Sequence, residues 1–151
     1  MNAPQERMRR ALRRSWLFML TPAAAGLTVA ETLRTLQLFD GWRVAGHDSM
    51  QVVVFVFTVA AGLALPILYR SAFASAHREK DVITLDVYYR YVYNSVILAM
   101  LTPYFSLLSS LMAFSPFYMI GIFLVTLYAV YTQYPSVTRI ASDLRIFRVQ
   151  A

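Results

Sequence analysis

The stretch Tyr91–Met112, YVYNSVILAMLTPYFSLLSSLM, decides the fold of this chain. Read at helical spacing, one face carries Ser95, Ala99, Thr102, Ser106, Ser109 and Ala113, in steps of four, three, four, three and four residues. Off that stripe stand Ile97, Leu98, Leu101, Phe105, Leu107, Leu108 and Leu111. A soluble amphipathic helix sets an apolar stripe against a charged face. Here the contrast is small against large, and no charged residue occurs between Arg90 and Arg139. In lipid, apolar burial does not drive helices together, so they associate through close packing and inter-helix hydrogen bonds at small or hydroxyl side chains. The stretch reads as a membrane helix whose small face is a packing seam.

Composition extends that reading to the whole chain. Of 151 residues, 58% are hydrophobic and 15% charged, against about 25% charged for an ordinary soluble domain; mean hydropathy is +0.51. The expected class is all-α and integral to the membrane: a four-helix transmembrane bundle, with short basic amphipathic helices at both cytoplasmic ends. One membrane domain, 1–151, holds spans near 16–33, 51–69, 91–112 and 117–134, and amphipathic ends near 5–15 and 136–148.

The first span, from Trp16, is near the lower limit of about 18 residues for crossing the hydrocarbon. Before it, Arg7, Arg9, Arg10, Arg13 and Arg14 form a basic run suited to anionic headgroups or to a topology signal. An export signal cleaved near Ala23–Ala25 is a third reading, but its apolar stretch before Thr21-Pro22 is too short to favour it. Gly26 and Ala30 form a small-xxx-small pair. Glu31 is the one carboxylate inside any span, about 22 Å along the helix from Trp16. It is the candidate ion or proton site, since intramembrane acids commonly mark such paths. The competing expectation is an interfacial pair with Arg34, three residues on.

The connection FDGWRVAGHDS, with Gly41, Gly46, Asp40 and Asp48, reads as a turn-rich loop. The second span carries small residues at Ala60, Ala61, Gly62 and Ala64, and Pro66 should kink it. A polar connection from Arg70 to Arg90 contains HREKD, and the third helix is expected to start near Thr84, with Asp86 and Arg90 paired four apart. Ala113-Phe114-Ser115-Pro116 joins the third and fourth spans, Ser115 capping and Pro116 at the first helical position. After Pro135, the residues Val137, Ile140, Leu144 and Phe147 recur at helical spacing, opposite Arg139, Asp143 and Arg145.

Orientation follows from the basic residues. With four spans and the N-terminus inside, twelve of the fourteen Lys and Arg residues fall on the inner side, leaving Arg34 and Arg43 outside. That is the positive-inside pattern. It places both termini in the cytoplasm and points to a plasma membrane, of bacterial inner-membrane type. Anionic-lipid contact is assigned to Arg9, Arg10, Arg13, Arg14, Arg139, Arg145 and Arg148.

The sequence carries little chemistry. Cysteine is absent, which excludes disulfides and thiolate metal sites. Its two histidines, His47 and His77, fall on opposite sides of the expected topology, so no catalytic, metal or cofactor site is assigned and no cofactor is expected. P-loop, dinucleotide and Gly-x-Ser-x-Gly signatures are missing. His77 with Asp81 remains a weak acid/base pair for headgroup chemistry. The basic charge sits at membrane flanks, so nucleic acid is not an expected partner; the bilayer and other membrane subunits are. Two classes of function remain: a non-catalytic subunit or accessory factor of a membrane complex, and a small ion or solute transporter acting as an oligomer.

Overall fold

The computed structural model describes residues 3–38, 47–78, 83–147 and 149–150. About 85% of these are helical, so the all-α class holds. Three helical stretches are long and apolar enough to cross a membrane, and a fourth appears if one bent pair counts as a single span. Expectations resting on Trp42, Arg43, Lys80, Asp81, Arg148 and the His47 side chain lie outside the described residues.

The first correction concerns the N-terminus. Helix α1 runs unbroken over Ala3–Thr35, so the basic segment is not a separate surface helix. Pro22 lies inside it without ending it. Met8, Leu12 and Trp16, spaced four apart, are buried, which carries one apolar stripe from the basic run into the span. Met8 and Leu12 pack on protein, in a cluster with Tyr88, Tyr91, Ile140 and Leu144.

The second span runs through α2 (His47–Val59), a π-helical turn (Ala60–Ala64) and α3 (Leu65–Ala76). Just before Pro66, where a kink is expected, the helix widens into this turn, in which Leu65 N–H donates to Ala60 O. A π-turn shifts the hydrogen-bond register by one residue, and the helix continues to Ala76. Gly62 sits in the turn. A Cβ there would stand 2.8 Å from Val125 Cγ1 and 3.0 Å from Thr102 Cγ2, so the absent side chain is what lets three helices meet.

The third span starts after Thr84, as expected, but is divided into α4 (Leu85–Ala99) and α5 (Thr102–Leu111) around Met100 and Leu101. Pro103 is the cause, because it cannot donate to the carbonyl four residues back. That carbonyl, Ala99 O, instead accepts from Thr102 Oγ1 at 2.8 Å, and Thr126 Oγ1 donates to Thr102 O at 3.1 Å. The carbonyls at the break are thus satisfied by hydroxyls at the centre of the bundle, as buried backbone groups require. Asp86 and Arg90 form no ion pair with each other.

The turn to α6 (Pro116–Thr132) is as short as expected, with Ala113 at φ 48° and Pro116 in the first turn. Ser115 occupies the cap position, yet its side chain makes no capping bond. Its backbone N–H donates to Gln51 Oε1 at 2.8 Å, tying the turn to α2. After α6 the chain turns by 70° into α7 (Val137–Ile146). Here Ser136 Oγ does cap, accepting from Arg139 N–H.

No strand was expected, but β1 (Ile83–Thr84) pairs in parallel with β2 (Val149–Gln150). This short ladder binds the C-terminal end of the chain to the entrance of α4. The first turns of α1 and the strand β2 sit at one end of the bundle, in the cluster with Tyr69, Phe73 and Tyr91. The other end is closed by Val54, Met112, Phe114 and Ile122.

Candidate functional site

The seam residues Ser95, Thr102, Ser106 and Ser109 are all buried, with Ala99 fully buried and Ala113 partly so. The hydroxyls of Ser95, Thr102 and Ser109 find partners within the chain. Ser109 Oγ donates to Ser106 O at 2.8 Å, and Ser95 Oγ donates to Gln133 Oε1 at 3.4 Å. On α2, Thr58 Oγ1 donates to Val54 O at 2.7 Å. Thr58 and Ser109 bond back onto their own helices, whereas Ser95 reaches Gln133 beyond α6. The chief contacts of α5 are with α6 and α1, so the stripe is used inside one chain.

Glu31 does not form the interfacial pair with Arg34. Its Oε1 accepts from Ser110 Oγ at 2.6 Å, across to α5. Arg34 turns elsewhere and places Nη1 3.5 Å from Met119 Sδ. The three-residue spacing made the Glu31–Arg34 pair available, but Ser110 faces the acid directly and supplies a charge-assisted bond. Glu31, Ser106, Ser109 and Ser110 line one side of a groove of about 290 Å³, whose other side includes Met119 and Phe123. One acid and three serines against apolar walls is a polar strip where a cation or proton would find ligands. No group of three or more metal-binding side chains occurs among the described residues.

The basic end holds a second polar cluster, which the sequence pattern concealed. Asp143 reads as part of the polar face of α7, opposite Ile140 and Leu144. In the structure all three are buried. Arg70 Nη2 donates to Asp143 Oδ1 at 3.1 Å, and Tyr88 Oη donates to Asp143 Oδ2 at 3.4 Å. Tyr88 is itself fully buried. A carboxylate with an arginine and a phenol as partners is a satisfied buried charge, and it locks α7 onto α3 and α4. Around it Phe73 stacks on Tyr91 at 4.2 Å, and Phe147 meets Phe73 edge-on. His77, once a candidate with Asp81, places Nδ1 3.0 Å from Phe73 O, with its ring against Phe73.

The arginines assigned to lipid contact are dispersed. Arg13, Arg14 and Arg145 are exposed, and Arg9 is partly buried. Arg10 pairs with Glu6 at 3.5 Å. Arg139 lies partly buried beside Arg70 and Tyr91 in a cavity between the helices. The only signal that could have marked Asp143 was its place one residue before Leu144 on a helix whose apolar stripe is narrow.

No protein-family model, curated protein or solved structure matches the chain. Its own geometry therefore carries the functional reading.

Proposed function

We propose that this chain is a non-catalytic integral membrane protein, a subunit or accessory factor of a larger membrane complex, with both termini cytoplasmic. The observation that carries the reading is the outward face of α1. Thr21, Ala24, Ala25, Thr28 and Thr32 are all exposed there. The threonine hydroxyls fold back onto their own helix: Thr28 Oγ1 donates to Ala24 O at 2.9 Å, and Thr32 Oγ1 to Thr28 O at 2.7 Å. A helix facing only lipid gains nothing from small side chains, whereas a helix awaiting another helix does. The seam of α4 and α5 is filled from within the chain, so α1 is the face left for a partner. Cytoplasmic termini are supported by the twelve-to-two split of basic residues and by the first turns of α1 packing beside α7 and β2 at one end of the bundle.

A second reading has its own support. Glu31 faces a polar groove rather than Arg34, which suits a small transporter protomer. Native mass spectrometry of the protein gently extracted from its own membrane separates the two. A hetero-complex that loses its partner in Thr28→Leu is the expected result. A homo-oligomer with proton or cation flux in vesicles supports the transporter instead, and a monomer without flux overturns both.

A further inference from the structure

The cavity at the basic end has a chemistry that neither reading uses. It measures about 340 Å³ and lies between the π-turn, α3, α4 and α6, with Arg139 of α7 also lining it. Two guanidinium groups line it, those of Arg70 and Arg139. Asp143, buried beside it, is the one carboxylate among the described residues that reaches this cluster, and it is engaged by Arg70 and Tyr88. Arg139 makes no side-chain ion pair or hydrogen bond among the described residues; the bond to Ser136 Oγ comes from its backbone N–H. Two arginines against one acid leave a net positive charge, turned into a partly enclosed space. Low-dielectric walls strengthen the field of such a charge.

The remaining lining is divided. Ser95, Thr132 and Gln133 give the inner wall hydrogen-bonding groups, while Leu63, Pro66 and Ile67 make the wall of the second span apolar. Ile67 and Tyr128, on either side of the mouth, are both largely exposed. The cavity therefore opens sideways, along the apolar flank of the bundle. A soluble anion would need no such flank. A molecule with a charged oxyanion head and an apolar tail would use both parts, the head on guanidinium donors and the tail against the second span.

We propose that this cavity binds the phosphate of an anionic membrane lipid, Arg139 and Arg70 holding the phosphate oxygens and the Ile67 and Tyr128 edges flanking the start of an acyl chain. Basic pockets between helices on the cytoplasmic side are suited to such headgroups. The site rests on the membrane placement proposed above and is independent of any partner on α1.

Native mass spectrometry tests it on the full chain in detergent, titrated with phosphatidylglycerol, phosphatidylcholine or inorganic phosphate. Phosphatidylglycerol should be retained in preference to phosphatidylcholine. Arg139→Gln should weaken that retention by about ten-fold or more, as expected when a charge-assisted hydrogen bond is lost. Arg145→Gln, on the exposed side of α7, should weaken it by no more than about five-fold, the effect of a basic residue near a charged surface. Equal retention of both lipids, or equal loss in the two variants, overturns the site. Inorganic phosphate displacing the lipid at similar concentration overturns its assignment to a lipid. Arg139→Gln leaves the Arg70–Asp143 pair in place, so an unchanged unfolding temperature reports an intact fold. Incorporation of the wild-type chain into nanodiscs reads the membrane placement separately; a chain that stays out of them would refute that placement and not the oxyanion chemistry.

Discussion

Helices α1 and α4–α5 both carry small and hydroxyl residues at helical spacing, and the bundle treats them in opposite ways. Half of the most apolar stretch of α4–α5 is buried within the chain, against 11% for α1. What separates them is the shape of the neighbours. The α4–α5 stripe meets Gly62 of the π-turn at Thr102, and Ala129 of α6 stands against the same glycine, so the helices approach closely there. Beyond Trp16, the small residues of α1 that turn inward are Ala23, Gly26 and Ala30, with Leu107 filling the space beside Gly26. A small-residue stripe thus announces a close contact without saying whether its partner lies in the same chain. The contact is within the chain only where another helix also offers a groove.

The largest expected effect breaks the buried side of that contrast. Gly62→Leu puts a branched side chain where a Cβ alone would meet Val125 and Thr102. Overpacking of this kind typically costs about 1–3 kcal/mol, and more where backbone must move. Thermal unfolding in detergent should show a large drop. An unchanged midpoint would show that the second span does not approach α5 and α6 as described. Ser106→Leu, on the seam itself, should fall in the same direction by a smaller amount, because Ser106 borders the open groove.

Thr102→Val comes next. The change keeps the branched shape and removes the hydroxyl that satisfies Ala99 O. An orphaned buried carbonyl costs about 1–3 kcal/mol. Adding Pro103→Ala restores an N–H four residues after Ala99, so the double variant should recover part of the loss. Equal stability of the single and double variants would remove the hydroxyl from its role at the kink. Such coupling between neighbours is what a double-mutant cycle measures.

Much of this was legible beforehand, for local reasons. Apolar length, the Ser115-Pro116 turn and the stripe on 91–112 each depend on residues close in sequence. The helical class and the short turn survive because a helix imposes its spacing wherever it forms, although Ser115 does not cap through its side chain. Pro103 was visible too, but not how Thr102 would satisfy the bond it removes. Residues whose partners are remote gave no such signal. Met8 and Leu12 looked like the apolar side of a surface helix, and their partners Ile140 and Leu144 lie more than a hundred residues on. Asp143 looked solvated because Arg70, its partner, is 73 residues away. Glu31 had Arg34 close at hand and chose Ser110, 79 residues distant. Charged residues near an interface have many local options, and tertiary packing selects among them.

On the exposed side of the contrast, Thr28→Leu should leave unfolding unchanged within about 0.5 kcal/mol, as for most surface substitutions. The loss should appear instead as a partner missing from the native complex. A destabilised chain with its partner retained would show that α1 packs inward more than its exposure indicates.

The smallest effect on the fold is expected from Glu31→Gln, and it separates the two functional readings. The amide oxygen of glutamine still accepts from Ser110 Oγ, so the contact between α1 and α5 survives. What is lost is the charge assistance of one partly exposed hydrogen bond, about 1 kcal/mol at most. For a subunit, assembly and unfolding temperature should then stay close to wild type. For a transporter, the same change removes the only titrating group in the groove, and a charge that cannot form cannot carry a proton or hold a cation. Vesicles reconstituted with wild type and with Glu31→Gln decide the matter. A flux present in the first and absent in the second, with both proteins inserted and folded, would move the function from the outer face of α1 to the groove beside it. Absence of flux in both leaves Glu31 as a bond between helices and favours the proposed subunit reading.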